Sequence, residues 1–206
     1  MKLKVCGMKY HDNMLAVANL QPDYMGYIFW EPSSRYFNGS MPKIPDNIKK
    51  VGVFVDTSLS DIIKTIATYD LQAVQLHGKE SPDFCKALGA TAQGIEIIKV
   101  FSIKDDFDFQ LLTPYEKVCD YFLFDTKGKL PGGNGYTFSW EVLQSYPSTK
   151  PYFLSGGIGL EEAGKVADFL SRPESEYCYA IDVNSKFEIK PGEKDIALLK
   201  AFKQNI

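Results

Sequence analysis

Short runs of consecutive apolar residues recur along this chain at intervals of roughly 20 to 30 positions, about the length of one strand–helix unit. The runs at 3–6, 24–29, 50–55, 73–76, 95–100, 121–124, 152–154 and 179–183 read as strands. Most are continuously apolar rather than alternating, the pattern of parallel strands covered on both faces. Between them, helical periodicity marks 12–20, 59–69, 81–88, 160–170 and 193–202. Local chemistry supports several of these helices. Asp56-Thr57-Ser58 offers capping side chains before the second. Ser81-Pro82 puts proline at the first helical position of the third, and Pro191-Gly192 precedes the last. The signal around 105–117 is weaker and Pro114 interrupts it, 140–144 is short, and 31–45, with Pro, Ser and Gly throughout, reads as a long loop. Strands alternating with helices in this way predict an α/β fold, a (β/α)8 TIM barrel forming a single domain over 1–206. An open doubly wound sheet is the competitor, but it ordinarily uses fewer strands, and the first strand–turn here lacks G-x-G-x-x-G.

Composition narrows the function without naming it. With 23 basic and 26 acidic residues the net charge is −3, and no segment forms a basic stripe, which argues against a nucleic-acid partner. The four cysteines include no C-x-x-C and only two histidines are present, so neither a metal site nor a disulfide framework is expected. No apolar run approaches the roughly 20 residues of a membrane span, and Met1-Lys2-Leu3-Lys4-Val5 leads straight into the first strand with no signal peptide. A reduced cytoplasm is the expected setting.

In a (β/α)8 barrel the chemistry gathers at the C-terminal ends of the strands. Those positions here hold Cys6, then Arg35 in the second loop, Asp56, Gln75 with His77, Asp125, Ser155 with Gly156 and Gly157, and Asp182 with Asn184 and Ser185. Each has an ordinary reading when taken alone. Cys6 suits an inert core thiol, Asp125 a helix cap, Arg35 a solvated loop arginine, His77 a structural or substrate-shaping role, and the glycines of Ser155-Gly156-Gly157-Ile158-Gly159 a tight turn. The same glycines, before the seventh helix, also suit backbone N–H groups aimed at an anion. A further run, Gly132-Gly133-Asn134-Gly135, follows Asp125 closely and suits a loop that closes over substrate or a plain turn. Their convergence on one rim points to an acid, a base and an anchor for a sugar phosphate.

Taken in order, the segments Lys4-Val5-Cys6-Gly7-Met8, Gly26-Tyr27-Ile28-Phe29, Ser34-Arg35-Tyr36, Val51-Gly52-Val53-Phe54-Val55 and Val74-Gln75-Leu76-His77-Gly78 resemble the phosphoribosylanthranilate isomerase family of tryptophan biosynthesis. The likeness continues through Phe124-Asp125-Thr126, Gly132-Gly133-Asn134-Gly135, Leu154-Ser155-Gly156-Gly157-Ile158, Asp182-Val183-Asn184-Ser185 and Pro191-Gly192-Glu193-Lys194-Asp195, and so covers essentially the whole chain. The resemblance implies a cofactor-free Amadori rearrangement of a small phosphosugar, with Asp125 as general acid and Cys6 as general base. It also implies that Arg35 meets the anthranilate carboxylate, that Gln75, His77 and Asp182 line the substrate, and that Gly156, Gly157, Asn184 and Ser185 grip the phosphate. Asn134, Ser139, Asn184 and Lys186 depart from the family pattern, but neither the acid nor the base is lost. A free thiol needs only a modest downward shift to supply thiolate near neutral pH. The rivals are another phosphosugar isomerase on the same barrel, whose histidine-pathway version uses aspartate where Cys6 stands, and a catalytically silent phosphosugar-binding protein. Oligomeric state is not legible, and a monomer is the default.

Overall fold

The computed structural model describes residues 1–104, 106–126 and 139–206. Eight strands, β1 (Lys2–Val5), β2 (Tyr24–Ile28), β3 (Lys49–Phe54), β4 (Ala73–Leu76), β5 (Glu96–Ile103), β6 (Tyr121–Thr126), β7 (Tyr152–Leu154) and β8 (Cys178–Val183), close into a barrel in chain order. Every neighbouring pair is parallel, and β8 closes on β1 with Lys4 opposite Asp182. This is the (β/α)8 barrel expected from the sequence.

Alternation along the strands sorts the barrel interior into tiers. The middle tier is apolar: Val51, Ala73, Ile98, Leu123, Phe153 and Ala180 form a buried cluster with Tyr24 and Val100. It is separate from the larger cluster between strands and helices. At the N-terminal ends of the strands a polar layer closes the barrel. Lys2 Nζ donates to Tyr179 Oη at 2.8 Å, the Tyr24 and Tyr179 hydroxyls meet at 3.2 Å, Tyr24 Oη donates to Glu96 at 3.2 Å, and Lys49 pairs with Glu96. The tier at the opposite ends carries Cys6, Gln75, Asp125, Ser155 and Asp182, and it opens into a cleft.

The outer ring follows the local signals. It contains α1 (His11–Ala18), α2 (Leu59–Tyr69), α3 (Pro82–Thr91), α4 (Ala163–Leu170) and α5 (Ile196–Lys203). Ser58 Oγ accepts the Asp61 N–H at 3.2 Å, so the serine read as a cap does cap its helix, and Ser81 Oγ caps the next by accepting the Phe84 N–H at 3.2 Å. After β5 and β6 the connections contain 3-10 turns, Phe109–Tyr115 and Trp140–Ser145; Pro114 in the first has no N–H for a longer α-helix. The segment 31–45 is loop apart from one bridge between Ile28 and Tyr36.

Two expectations need correction. The helix read at 193–202 starts later, because Glu193–Lys194 is a strand, β10, paired antiparallel with β9 (Glu188–Lys190). Gly192, at φ +86°, belongs to the turn between these strands, and α5 opens only at Ile196, where the Asp195 carboxylate accepts the N–H groups of Ala197 and Leu198. The helix read at 160–170 begins as a 3-10 turn, Leu160–Glu162, before α4.

Candidate active site

One cleft at the C-terminal rim is lined by all ten residues to which the family resemblance gives a role: Cys6, Arg35, Gln75, His77, Asp125, Gly156, Gly157, Asp182, Asn184 and Ser185. Asp56, also at a strand end, does not line it; its Oδ1 instead accepts the Lys79 N–H at 2.6 Å. Gly132-Gly133-Asn134-Gly135 lies outside the described residues.

Cys6 is the first residue beyond β1. Its N–H continues the barrel ladder to the Val183 carbonyl at 2.9 Å, and Gly7, at φ +76°, then turns the chain away. On the neighbouring strand Gly26 leaves room for the sulfur, because a Cβ built there would lie 2.7 Å from Cys6 Sγ. Burial pushes the Cys6 thiol up; Lys4 and Lys194 oppose this and Asp182 adds to it. The cleft therefore holds the thiol above its ordinary value, in contrast to the modest lowering expected from the sequence.

Asp125 is the penultimate residue of β6 and is buried. Its Oδ1 accepts the N–H of Thr126 at 2.9 Å, which fixes that oxygen as an acceptor, while Oδ2 lies 3.5 Å from His77 Nε2. That separation is too long and misaligned for a hydrogen bond. His77 Nδ1 in turn meets Gln75 Nε2 at 3.4 Å. His77 Nε2 and Gln75 Oε1 are buried with no hydrogen-bond partner among the described residues. A buried orphan polar atom costs about 1–3 kcal/mol, and two facing one cleft are groups prepared for a polar ligand.

Across the rim, Gly156 and Gly157 take φ +96° and +67°. A Cβ on Gly156 would lie 2.2 Å from Thr126 Oγ1 and 2.5 Å from its backbone N, so this loop lies tight against the end of β6. The N–H of Gly159 is taken by Glu162 Oε2 at 2.8 Å. Asn184 Oδ1 accepts Lys194 Nζ at 2.7 Å, which anchors the acceptor end of the amide and leaves Nδ2 as the end that can donate to an anion. Ser185 and Lys186 follow it along the cleft wall.

Sequence reading missed the charges that brace these residues. Lys4 Nζ reaches Asp182 Oδ1 at 2.8 Å, both side chains being buried, and Ser155 Oγ donates to Asp182 Oδ2 at 3.3 Å. Burial raises the Asp182 carboxyl despite Lys4. Arg35 forks onto Glu188, with Nε at 2.9 and 3.0 Å and Nη2 at 2.6 Å. Lys194 Nζ, 2.7 Å away, and the Gly192 N–H, at 3.0 Å, share the same carboxylate. Burial works against the ionised Glu188, but Arg35 and Lys194 together hold its carboxyl below the usual range. Lys4 carried one sequence signal, a lysine inside an apolar strand two residues before Cys6.

A thiol, a carboxyl and a glycine turn brought together at the C-terminal rim of a closed parallel barrel define a (β/α)8-barrel enzyme acting on a small molecule. Comparison with known proteins makes the class specific. The pattern of N-(5'phosphoribosyl)anthranilate (PRA) isomerase matches residues 3–205. N-(5'-phosphoribosyl)anthranilate isomerase of Phocaeicola vulgatus is 40% identical over 202 residues, covering 98% of this chain and 96% of its own. Among solved structures, phosphoribosyl anthranilate isomerase from Thermotoga maritima superposes with a TM-score of 0.85 at 29% identity, covering 100% of this chain and 98% of its own. A phosphoribosyl anthranilate isomerase in complex with reduced 1-(o-carboxyphenylamino)-1-deoxyribulose 5-phosphate superposes with a TM-score of 0.80 at 26% identity, covering 100% and 97%. The chain belongs to the PRA isomerase family.

Proposed function

We propose that this chain carries out the Amadori rearrangement of tryptophan biosynthesis, turning N-(5-phospho-β-D-ribosyl)anthranilate into 1-(2-carboxyphenylamino)-1-deoxy-D-ribulose 5-phosphate, with the following residues in the following roles. Asp125 is the general acid. Since its Oδ1 accepts the Thr126 N–H, the transferable proton sits on Oδ2. It passes to the furanose ring oxygen, the C1′–O bond breaks, and a Schiff base forms with the anthranilate nitrogen. Cys6, as thiolate, then takes the C2′ proton, and the electron pair of that C–H bond neutralises the iminium to give an enolamine. Tautomerisation of the enolamine delivers the ketone. Arg35, held by Glu188, presents its guanidinium to the anthranilate carboxylate, and Gln75 and His77 offer their orphan atoms to the sugar. Gly156, Gly157, Asn184 and Ser185 hold the phosphate, with Asn184 anchored by its Oδ1 to Lys194, and Asp182 lines the floor.

The observation that carries this reading is the gathering of ten residues, chosen from the sequence alone, from six strand ends and their loops into one cleft. All come from one chain forming one barrel domain, so a monomer is sufficient for the chemistry. Among the described residues no helix is long and apolar enough to cross a membrane. We place the protein in the cytoplasm, where its four free thiols remain reduced.

The test makes the labile substrate in situ from anthranilate and phosphoribosyl pyrophosphate with the preceding transferase, and follows substrate fluorescence. A protein-dependent fall is expected in the wild type. General acids and bases contribute about 10²- to 10⁴-fold, so Cys6→Ala and Asp125→Ala should each lose at least that much kcat while keeping the fold. Near wild-type turnover in either variant would remove its assigned role.

A further inference from the structure

Beneath the cleft floor lies a buried cation that none of these steps employs. Lys4 is two residues before Cys6 on an extended chain, so both side chains leave the same face of the strand. It is 0% exposed, and its Nζ lies 2.8 Å from Asp182 Oδ1, across the β1–β8 register. Cys6 is buried on that same face, and the Lys4 charge favours its ionised form. Asp182 is fixed on its other side by Ser155 Oγ at 3.3 Å. An ion pair buried for stability alone is readily replaced by apolar side chains of similar volume. Here the cation sits between two groups that form anions, and one of them is the sulfur that must become charged for the reaction.

We propose that Lys4 is a positioning residue for the proton-abstracting sulfur: its ammonium, anchored by Asp182, is the counter-charge of the Cys6 thiolate. This rests on Cys6 being the base. The two buried partners of Lys4 then compete, because the ammonium favours the thiolate while the carboxylate beside it opposes a second negative charge. The other charges around the sulfur belong to different elements. Lys194 from the β9–β10 hairpin has the favouring sign and is itself tied to Glu188, which also holds Arg35. Asp125 acts on Asp182 from β6, with His77 of the β4 end beside it.

Competition gives opposite effects from the two halves of one ion pair. The readout is the pH dependence of Cys6 alkylation by iodoacetamide, resolved by peptide mass spectrometry so that Cys85, Cys119 and Cys178 serve as internal references. It is run beside the pH profile of kcat/KM. In Lys4→Met the Cys6 midpoint should move to higher pH, with kcat/KM at pH 7 down about tenfold or more and recovering as pH rises. In Asp182→Asn the midpoint should move to lower pH. Lys4→Arg, which keeps the charge, should restore the wild-type midpoint. Should either single variant fail to fold, Lys4→Met/Asp182→Asn leaves no lone buried charge and should still titrate at higher pH than the wild type, because Lys4 shares the strand face of the sulfur two residues away while Asp182 stands across the register on β8. Midpoints that stay put, or shift the same way in Lys4→Met and Asp182→Asn, would overturn the inference while an inactive Cys6→Ala kept the base assignment standing. Full turnover in Cys6→Ala would overturn both.

Discussion

Gly26→Ala offers a steric test of where the reacting sulfur must be. Gly26 sits inside β2 with no left-handed backbone angle, so alanine is conformationally acceptable there and the effect is one of space. The added Cβ would lie 2.7 Å from Cys6 Sγ and 3.1 Å from Cys6 Cα. Comfortable contacts between such atoms are about 3.5–4.0 Å, leaving a shortfall of about 1 Å. Cys6 has one side-chain torsion, so relief comes either from swinging the sulfur out of its place or from parting β1 and β2, which are hydrogen-bonded neighbours. A misplacement of about 1 Å in a reacting group costs on the order of 10²-fold, and overpacking of this kind typically destabilises by about 1–3 kcal/mol. The expected result is kcat down about 10²-fold, KM changed only a few-fold, and a modestly lower Tm with the near-UV circular dichroism of the wild type. Fluorescence-coupled turnover and thermal melting measure these quantities. Wild-type kcat in a folded Gly26→Ala protein would mean that the sulfur does not work from the position described here, and the argument from Gly26 would fail with it.

Three further outcomes test other parts of the rim. Gly156→Ala combines a φ of +96° with a Cβ 2.2 Å from Thr126 Oγ1, so it should weaken substrate affinity and lower Tm together; an unaltered KM would contradict the phosphate role given to this turn. Glu188→Gln removes the charge from a carboxylate shared by Arg35 and Lys194, and losing charge-assisted bonds of about 1.5–3 kcal/mol should raise KM about ten- to hundredfold with less effect on kcat. Because the Glu188 carboxyl is held below its usual range, this bracing should be complete above the ordinary glutamate value and disappear only as pH falls through the lower folded value, which a KM–pH series reads directly. Lys186→Ala, at the cleft wall, separates a phosphate contact from a solvated lysine: a raised KM supports the first and an unchanged KM dismisses it.

How far the sequence could be read depended on whether the deciding interaction was local. The helix 59–69 and the strands 73–76 and 152–154 coincide with α2, β4 and β7, because a capping serine directly before the segment or a compact apolar run within it decides the structure locally. Cys6, Asp125 and the two-glycine turn were legible for a related reason, since chemically reactive or conformationally special residues stand out where an apolar run stops. The β9–β10 hairpin was missed because two very short strands carry no periodicity, and amphipathic character past Pro191-Gly192 was assigned to helix. The bracing charges were hidden differently. Lys4 meets Asp182 across 178 positions and Arg35 meets Glu188 across 153, separations at which only the closed barrel brings the partners together. For the same reason an upward push on the Cys6 thiol was not foreseen: it comes from burial under the rim, and no neighbour in sequence announces it.

The polar layer of Lys2, Tyr24, Lys49, Glu96 and Tyr179 lies at the end of the barrel away from the cleft, with the apolar tier of Val51, Ala73, Ile98, Leu123, Phe153 and Ala180 between them. That spacing makes the molecule modular for selection or redesign. Substitutions that resculpt the rim for a new substrate leave the closing network untouched, and changes that strengthen the closing network leave the reacting atoms where they are. A scaffold divided in this way can exchange one chemistry for another without first surrendering its fold.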